Sequence, residues 1–328
     1  MAGAVLMGKH LNMGRFKMRR LLLLCVLVLS LTQLALCGDL EVHFVDVGQG
    51  DCIFLRCPNG RTVLVDCGSL KGGNEGAVKK YLHKQLGDKM ELDTLVITHP
   101  DQDHYNWIPN ALKGVTVKKV IVSRPTNKFT WAECSDWLKK QDVIDLDQED
   151  RDAINVPSKL FGNGTTKFYV LAADAEHSTN GSSVVLLVSY KDFDLLLMGD
   201  ATKKVEKKIL NDYPKWWLDC EILKVGHHGS NGSSDAKWLA AAKPDTSILS
   251  CAYVNGFKHP RKEVVYRLEP YAKYEVPHTL RYVGKDGTPK NLKSYDRSIL
   301  STATNGNVIV KSDGRCYTVD FRKGEYQE

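Results

Sequence analysis

Residues 99–104 read His-Pro-Asp-Gln-Asp-His, placing two imidazoles and two carboxylates within six positions directly after the apolar run Leu95-Val96-Ile97. Acids and imidazoles gathered at the end of a buried strand carry a heavy desolvation penalty unless a charge compensates them, and a divalent cation is the usual compensator. The same grammar recurs downstream. Leu195-Leu196-Leu197-Met198 runs into Gly199-Asp200, Ile222-Leu223-Lys224-Val225 into Gly226-His227-His228-Gly229, and Ile248-Leu249-Ser250 leads through Asn255 to His259-Pro260. Each run has the length of a buried strand. In layered α/β folds ligands gather at the carboxyl ends of strands, so four strand tips are expected to converge on one pocket. Gly48, Gly50, Gly199, Gly226 and Gly229 beside these groups suit tight turns and close backbone approach.

The chain has 328 residues and is 43% hydrophobic, enough for a packed core. Its first 37 residues read as a leader rather than as part of that core: Lys17, Arg19 and Arg20 precede the apolar run 21–36, and Ala35-Leu36-Cys37 supplies small residues before Gly38. This layout predicts a cleaved secretory signal over 1–37, a mature domain over 38–328 and a secreted product free of the membrane, with an uncleaved anchor as the alternative. The formal charge of +6 sits mostly in that leader, which carries five basic residues and no acid. From Gly38 onward the chain is nearly neutral, so a global basic field for nucleic acid is not expected. Lysines after Asp200 and the group Lys258, Arg261 and Lys262 around His259 read as solvated faces.

Seven cysteines lie beyond Cys37, and a hairpin around Pro58-Asn59-Gly60-Arg61 sets Cys52 opposite Cys67, predicting a cross-strand disulfide. Asn163, Asn180 and Asn231 are N-glycosylation acceptors, Asn163 being the expected site. The acid-rich stretch 131–152 reads as a surface insertion. A helix is expected over 77–86 and another capped by Asp103, followed by strands at 168–171, 184–188 and 195–198 and helices after Asp200 and after Ser234. Absence of repeats and long linkers points to one α/β domain.

The ordered set Phe44-Val-Asp-Val-Gly-Gln-Gly-Asp51, Thr98-His-Pro-Asp-Gln-Asp-His104, Asn180 with Ser182 and Ser183, Gly199-Asp200, His227-His-Gly-Ser230 and His259-Pro260 resembles the metallo-β-lactamase domain of the ComEC/Rec2 family of bacterial DNA-uptake proteins. The resemblance spans Glu41 to about Tyr317 and implies a four-layer αββα sandwich of two mixed sheets. It implies two divalent metal ions: His99 and Asp101 on one, Asp103 and His104 on the other, Asp200 bridging, and His228 as the later ligand. Asp46, Asp51 and Asp66 become the acids that orient the ligand loops. Tyr105-Asn106-Trp107 replaces the glycines that many relatives carry after the ligand cluster, and the family's middle histidine has only His177 or the amide of Asn180 as stand-ins.

Three imidazoles with three carboxylates suit zinc or manganese. A hydroxide bridging two such metals fits a phosphodiester, DNA included, with Asp103 and Asp200 holding the metals and His227 or His259 protonating the leaving oxygen. Two other readings stand beside this secreted phosphodiesterase: a metallo-hydrolase of small phosphoesters, lactones or thioesters, and a metal-binding module without turnover. No protein partner is predicted. Tyr105, Trp107, Trp131, Trp216 and Trp217 are candidate base stackers, the Trp216-Trp217 pair reading as packing.

Overall fold

The computed structural model describes residues 5–8, 38–146 and 165–322. The leader core, Asn163 and residues 147–152 of the acid-rich segment lie outside these residues. Two sheets carry the fold. The first has nine strands in the order 5–8, 316–322, 307–312, 40–44, 52–56, 62–67, 94–97, 120–122 and 143–145. The second has six, in the order 166–172, 185–190, 193–197, 222–224, 246–249 and 299–301. Both are mixed: antiparallel hairpins hand over to parallel pairs at 62–67 with 94–97, and at 193–197 with 222–224.

Alternation along the strands explains the layering. In the strand Thr62–Cys67, Val63 and Val65 enter the core shared by the two sheets, while Leu64 points to the opposite face. Leu195 and Leu197 likewise join the shared core, and Leu196 faces away from it. A strand apolar on both faces must be covered on both. The outer face of the first sheet packs against the helices 75–86, 108–111 and 132–138, and that of the second against 203–212, 236–242 and 262–268. The result is the expected four-layer αββα arrangement.

Most expected elements form close to their predicted places, including the helix Glu75–Leu86, which Asn74 caps by accepting from the Ala77 N–H. Asp103 does not cap its helix. The helix Gln102–Tyr105 contains it, and Asp101 stands at the N-cap position without a side-chain cap. Cys52 does face Cys67 across the hairpin, with a register shift between Cys52 and Ile53, and both thiols are free and buried. Part of the acid-rich stretch, Val143–Asp145, is an edge strand and not surface loop. Trp217 packs against Tyr169 and Tyr213, but Trp216 is 77% exposed. No helix among the described residues is long and apolar enough to cross a membrane.

Candidate metal centre

Strand ends from both sheets meet at one edge of the sandwich. From the first come Asp66, at the end of 62–67, and the loop and short helix 98–105 that follow 94–97. From the second come Asp200 after 193–197, His227 and His228 after 222–224, and His259 beyond 246–249. Gly50 and Gly68 let the first sheet approach the ligand helix. A Cβ on Gly50 would lie 2.5 Å from the Asp103 carbonyl oxygen, and one on Gly68 2.6 Å from the backbone of Asp103.

Three histidines share one arrangement. His104 Nδ1 donates to Asp66 Oδ2 at 2.7 Å. His228 Nδ1 donates to the Ser250 carbonyl at 2.8 Å. Thr98 gives its hydroxyl proton to Asp66 Oδ2 at 2.7 Å, so its oxygen accepts from His99 Nδ1 at 3.0 Å. An imidazole that commits Nδ1–H to an acceptor keeps its lone pair on Nε2. All three Nε2 atoms are buried without a hydrogen-bond partner, as is Asp200 Oδ1. Asp200 Oδ1 lies 3.4 Å from His104 Nε2 and 3.5 Å from His228 Nε2, and Asp103 Oδ2 is 3.4 Å from His228 Nε2. Donor atoms of His99, His104 and Asp200 fall within 4.8 Å of one another, and so do those of Asp103, His104 and His228. Buried orphans are rare in folded proteins. Four lone pairs aimed at one another are accounted for by divalent cations, and this donor set fits them.

Charge tells the same story. Burial opposes ionisation of Asp200, but His228 and His104 outweigh it and hold its pKa well below the usual carboxylate range. Burial also disfavours charge on His104, yet Asp200 and Asp66 raise its pKa well above the usual imidazole value. The cluster therefore demands positive compensation, for which protons and metal ions compete.

Asp51 completes the floor. Its Oδ2 accepts from Lys224 Nζ at 2.7 Å, both side chains being fully buried, and its Oδ1 lies 3.8 Å from His228 Nδ1. The sequence reading assigned no role to Lys224, nor to Thr98, Ser250 and Ser183, whose hydroxyl accepts from the Asp200 N–H at 3.1 Å. The alternation of Ile222 inward and Leu223 outward puts Lys224 on a buried face, and a lysine there was the available signal.

The other expected residues divide. Asp101 stands at the pocket mouth, its carboxylate 3.5 Å from His99 Nε2. Asp46 shapes the turn below, its Oδ1 accepting from the Gly48 N–H at 3.0 Å. Asn180 Nδ2 approaches the His227 ring, 3.4 Å from Nε2. His177 is not brought to the site: it is largely exposed and pairs with Asp174 Oδ2 at 2.9 Å. Asn106 clamps the ligand helix to the neighbouring loop, exchanging two hydrogen bonds with the Ser69 backbone at 2.9 and 2.8 Å.

His227 and His228 hold left-handed φ angles of 50° and 53°, a strain of roughly 1–3 kcal/mol each that turns one ring toward the ligands and the other toward the opening. His227 Nε2 lies 3.6 Å from Asp200 Oδ2. His259 has a buried, unpartnered Nδ1, and burial together with His228 and His227 drives its pKa down to about 3. These groups line an open cavity of about 400 Å³ with Gln49, Leu70, Thr130 and Phe257 on its walls.

Residues 45–253 match the family model described as the metallo-beta-lactamase superfamily. The chain is 29% identical over 286 residues to ComE operon protein 3 of Bacillus subtilis, covering 81% of this chain and 36% of that protein. It is 29% identical over 256 residues to recombination protein 2 of Haemophilus influenzae, covering 76% and 29%. It thus spans about a third of the length of these relatives. Among solved structures, the metallo-beta-lactamase fold protein YhfI from Bacillus subtilis aligns with 84% of this chain and 100% of its own at 10% identity and a TM-score of 0.45.

Proposed function

The chain belongs to the metallo-beta-lactamase superfamily, and from that premise we propose that it is a metal-dependent phosphodiesterase acting on nucleic acid. The observation that carries the reading is the set of three Nε2 lone pairs and Asp200 Oδ1, buried, unpartnered and facing one another beneath an open cavity. His99, Asp101, Asp103, His104, Asp200 and His228 would hold two divalent cations, zinc or manganese, with Asp200 between the two groups. Bound cations there supply Lewis-acid charge for a phosphoryl oxygen and acidify water.

The remaining work belongs to the protein's own groups. Asp66, Thr98 and Ser250 fix each histidine's tautomer and direction. Lys224 balances Asp51 beneath the ligands. His227 and His259 flank the opening as hydrogen-bond partners for a phosphoryl or leaving oxygen. A relative named for recombination, a process of DNA, supports a phosphodiester as the substrate. The proposal places the enzyme outside the cell on the leader pattern of residues 17–38 alone.

The test is protein stripped of metal, reloaded with zinc or manganese, and offered bis-p-nitrophenyl phosphate, single-stranded DNA and a lactone panel. Metal-dependent cleavage of both phosphodiesters is expected. Lactone cleavage alone would replace the phosphodiesterase by a different hydrolase, and bound metal without any turnover would leave a binding module.

A further inference from the structure

We propose that Tyr253 and Phe257 form a stacking platform beside the pocket mouth that selects an unpaired nucleic-acid strand, an inference that rests on the phosphodiesterase reading and names its substrate class. Both rings sit in the loop that runs from the strand Thr246–Leu249 to His259. Neither was among the aromatic residues singled out in the sequence, of which Tyr105 is buried and Trp107 half-buried.

Phe257 lines the cavity together with Asp200, His228 and His259 and is 50% exposed. Its ring lies 6.0 Å from that of His259 at an interplanar angle of 26°, so the stack continues from the pocket floor to the rim. Tyr253, 45% exposed, is pinned twice. The Arg281 guanidinium sits over its ring at 4.6 Å, and its hydroxyl accepts from Asn291 Nδ2 at 2.7 Å. Large aromatic surface left in water is unfavourable, and a ring held rigid while exposed loses little freedom on binding a partner. Such rings are stacking sites in waiting.

Charge identifies what they stack on. Arg281 and Asn291 belong to the hairpin formed by Glu275–Val283 and Pro289–Arg297, which carries five basic and three acidic residues between 275 and 297. Lys285, Lys290 and Lys293 are exposed there. Lys258, next to Phe257, reaches the hairpin tip, where a Cβ on Gly287 would come within 2.8 Å of its ammonium. In a chain nearly neutral after the leader, aromatic rings on the loop that borders the cavity, with ammonium groups on the hairpin that this loop touches, match the pattern that tracks a phosphate backbone and stacks its bases. A duplex hides base faces within its own stack, so the platform engages only an unpaired strand.

The experiment is fluorescence anisotropy of a short fluorescein-labelled oligonucleotide, single-stranded or annealed, added to the full chain in chelator so that no cutting occurs. We expect tighter binding of the single strand than of the duplex, and a Kd raised about tenfold in Tyr253→Ala and in Phe257→Ala. Phe257→Trp restores binding while Phe257→Leu, equally apolar but unable to stack, does not. Equal affinity for duplex and single strand, or an unchanged Kd in both alanine variants, overturns the platform. Turnover of bis-p-nitrophenyl phosphate by metal-loaded wild-type protein is read in parallel: its absence beside intact strand binding sinks the hydrolase reading and not the platform.

Discussion

The two sheets contribute unlike halves to the metal centre. The first delivers its ligands in one continuous stroke, His99 to His104, oriented by Asp66 from the adjacent strand of the same sheet. The second delivers Asp200 and His228 from separate strand ends, each held by a different neighbour: the Ser183 hydroxyl for Asp200, the Ser250 carbonyl for His228. One half is local and compact; the other is assembled by tertiary structure. Lys224 joins them, a second-sheet lysine buried against Asp51 of the first-sheet side. The lesson is that a short motif supplies ligands, but a working pair of groups exists only if the opposing sheet is held in register.

The largest effect is expected where the halves meet. Asp200→Asn removes the carboxylate that faces both His104 and His228, and should lower metal-dependent turnover at least about 10³-fold, roughly 4 kcal/mol in activation free energy. Elemental analysis should show metal lost alongside activity. Unchanged metal content and rate would mean that the two halves do not share Asp200. Lys224→Met cuts the link itself, leaving Asp51 as an uncompensated buried anion. Thermal and urea unfolding should report a loss of about 3–5 kcal/mol. Adding Asp51→Asn to Lys224→Met should recover most of it, because the penalty comes from the orphaned charge; a double variant no better than the single one would refute this account.

The same contrast explains what could be read from the sequence. The His-Pro-Asp-Gln-Asp-His stroke, the glycine-flanked Asp200 and the His227-His228 pair were legible because ligand chemistry and strand pattern coincide in adjacent residues. Alternating burial gave the layers, as Val63 and Val65 against Leu64 show. Ser250 was not legible as a support, since its contribution is a backbone carbonyl that any residue type supplies. His177 misled for the opposite reason: a histidine in a loop has the right chemistry, and only the chain's path shows that Asp174 holds it in solvent. The hairpin 275–297 escaped notice because its second strand, Pro289–Arg297, is polar and largely exposed, and two register irregularities blur the alternation.

Glu206 allows the second half to be tuned alone. Its carboxylate accepts from the Ser234 N–H at 2.5 Å and the Asp235 N–H at 2.9 Å, just beyond the His227-His228 turn. Burial pushes its pKa up from 4.5 to about 7. A carboxyl raised in the folded state makes that state bind more protons between the two values, so stability falls as pH rises through this window. The wild type should lose about 3 kcal/mol relative to Glu206→Gln between about pH 4.5 and pH 8. Urea titrations of both proteins at the two pH values check it, and a constant difference between them would show that Glu206 titrates normally.

Asp66→Asn tunes the first half and should have the mildest effect of the four. Asp66 accepts from the Thr98 N–H, the Thr98 hydroxyl and His104 Nδ1–H, all at 2.7 Å, and through Thr98 it also sets His99. An asparagine offers one acceptor oxygen for these three donors and turns an N–H toward one of them. His104 then loses the contact that keeps its lone pair on Nε2, while Asp200 and His228 keep their own supports. Metal affinity should weaken about 10–100-fold without loss of stoichiometry, measured by competition with a fluorescent chelator. Affinity equal to wild type would show that the backbone of the ligand helix, tied by Asn106 to Ser69, orients the first-sheet ligands without Asp66.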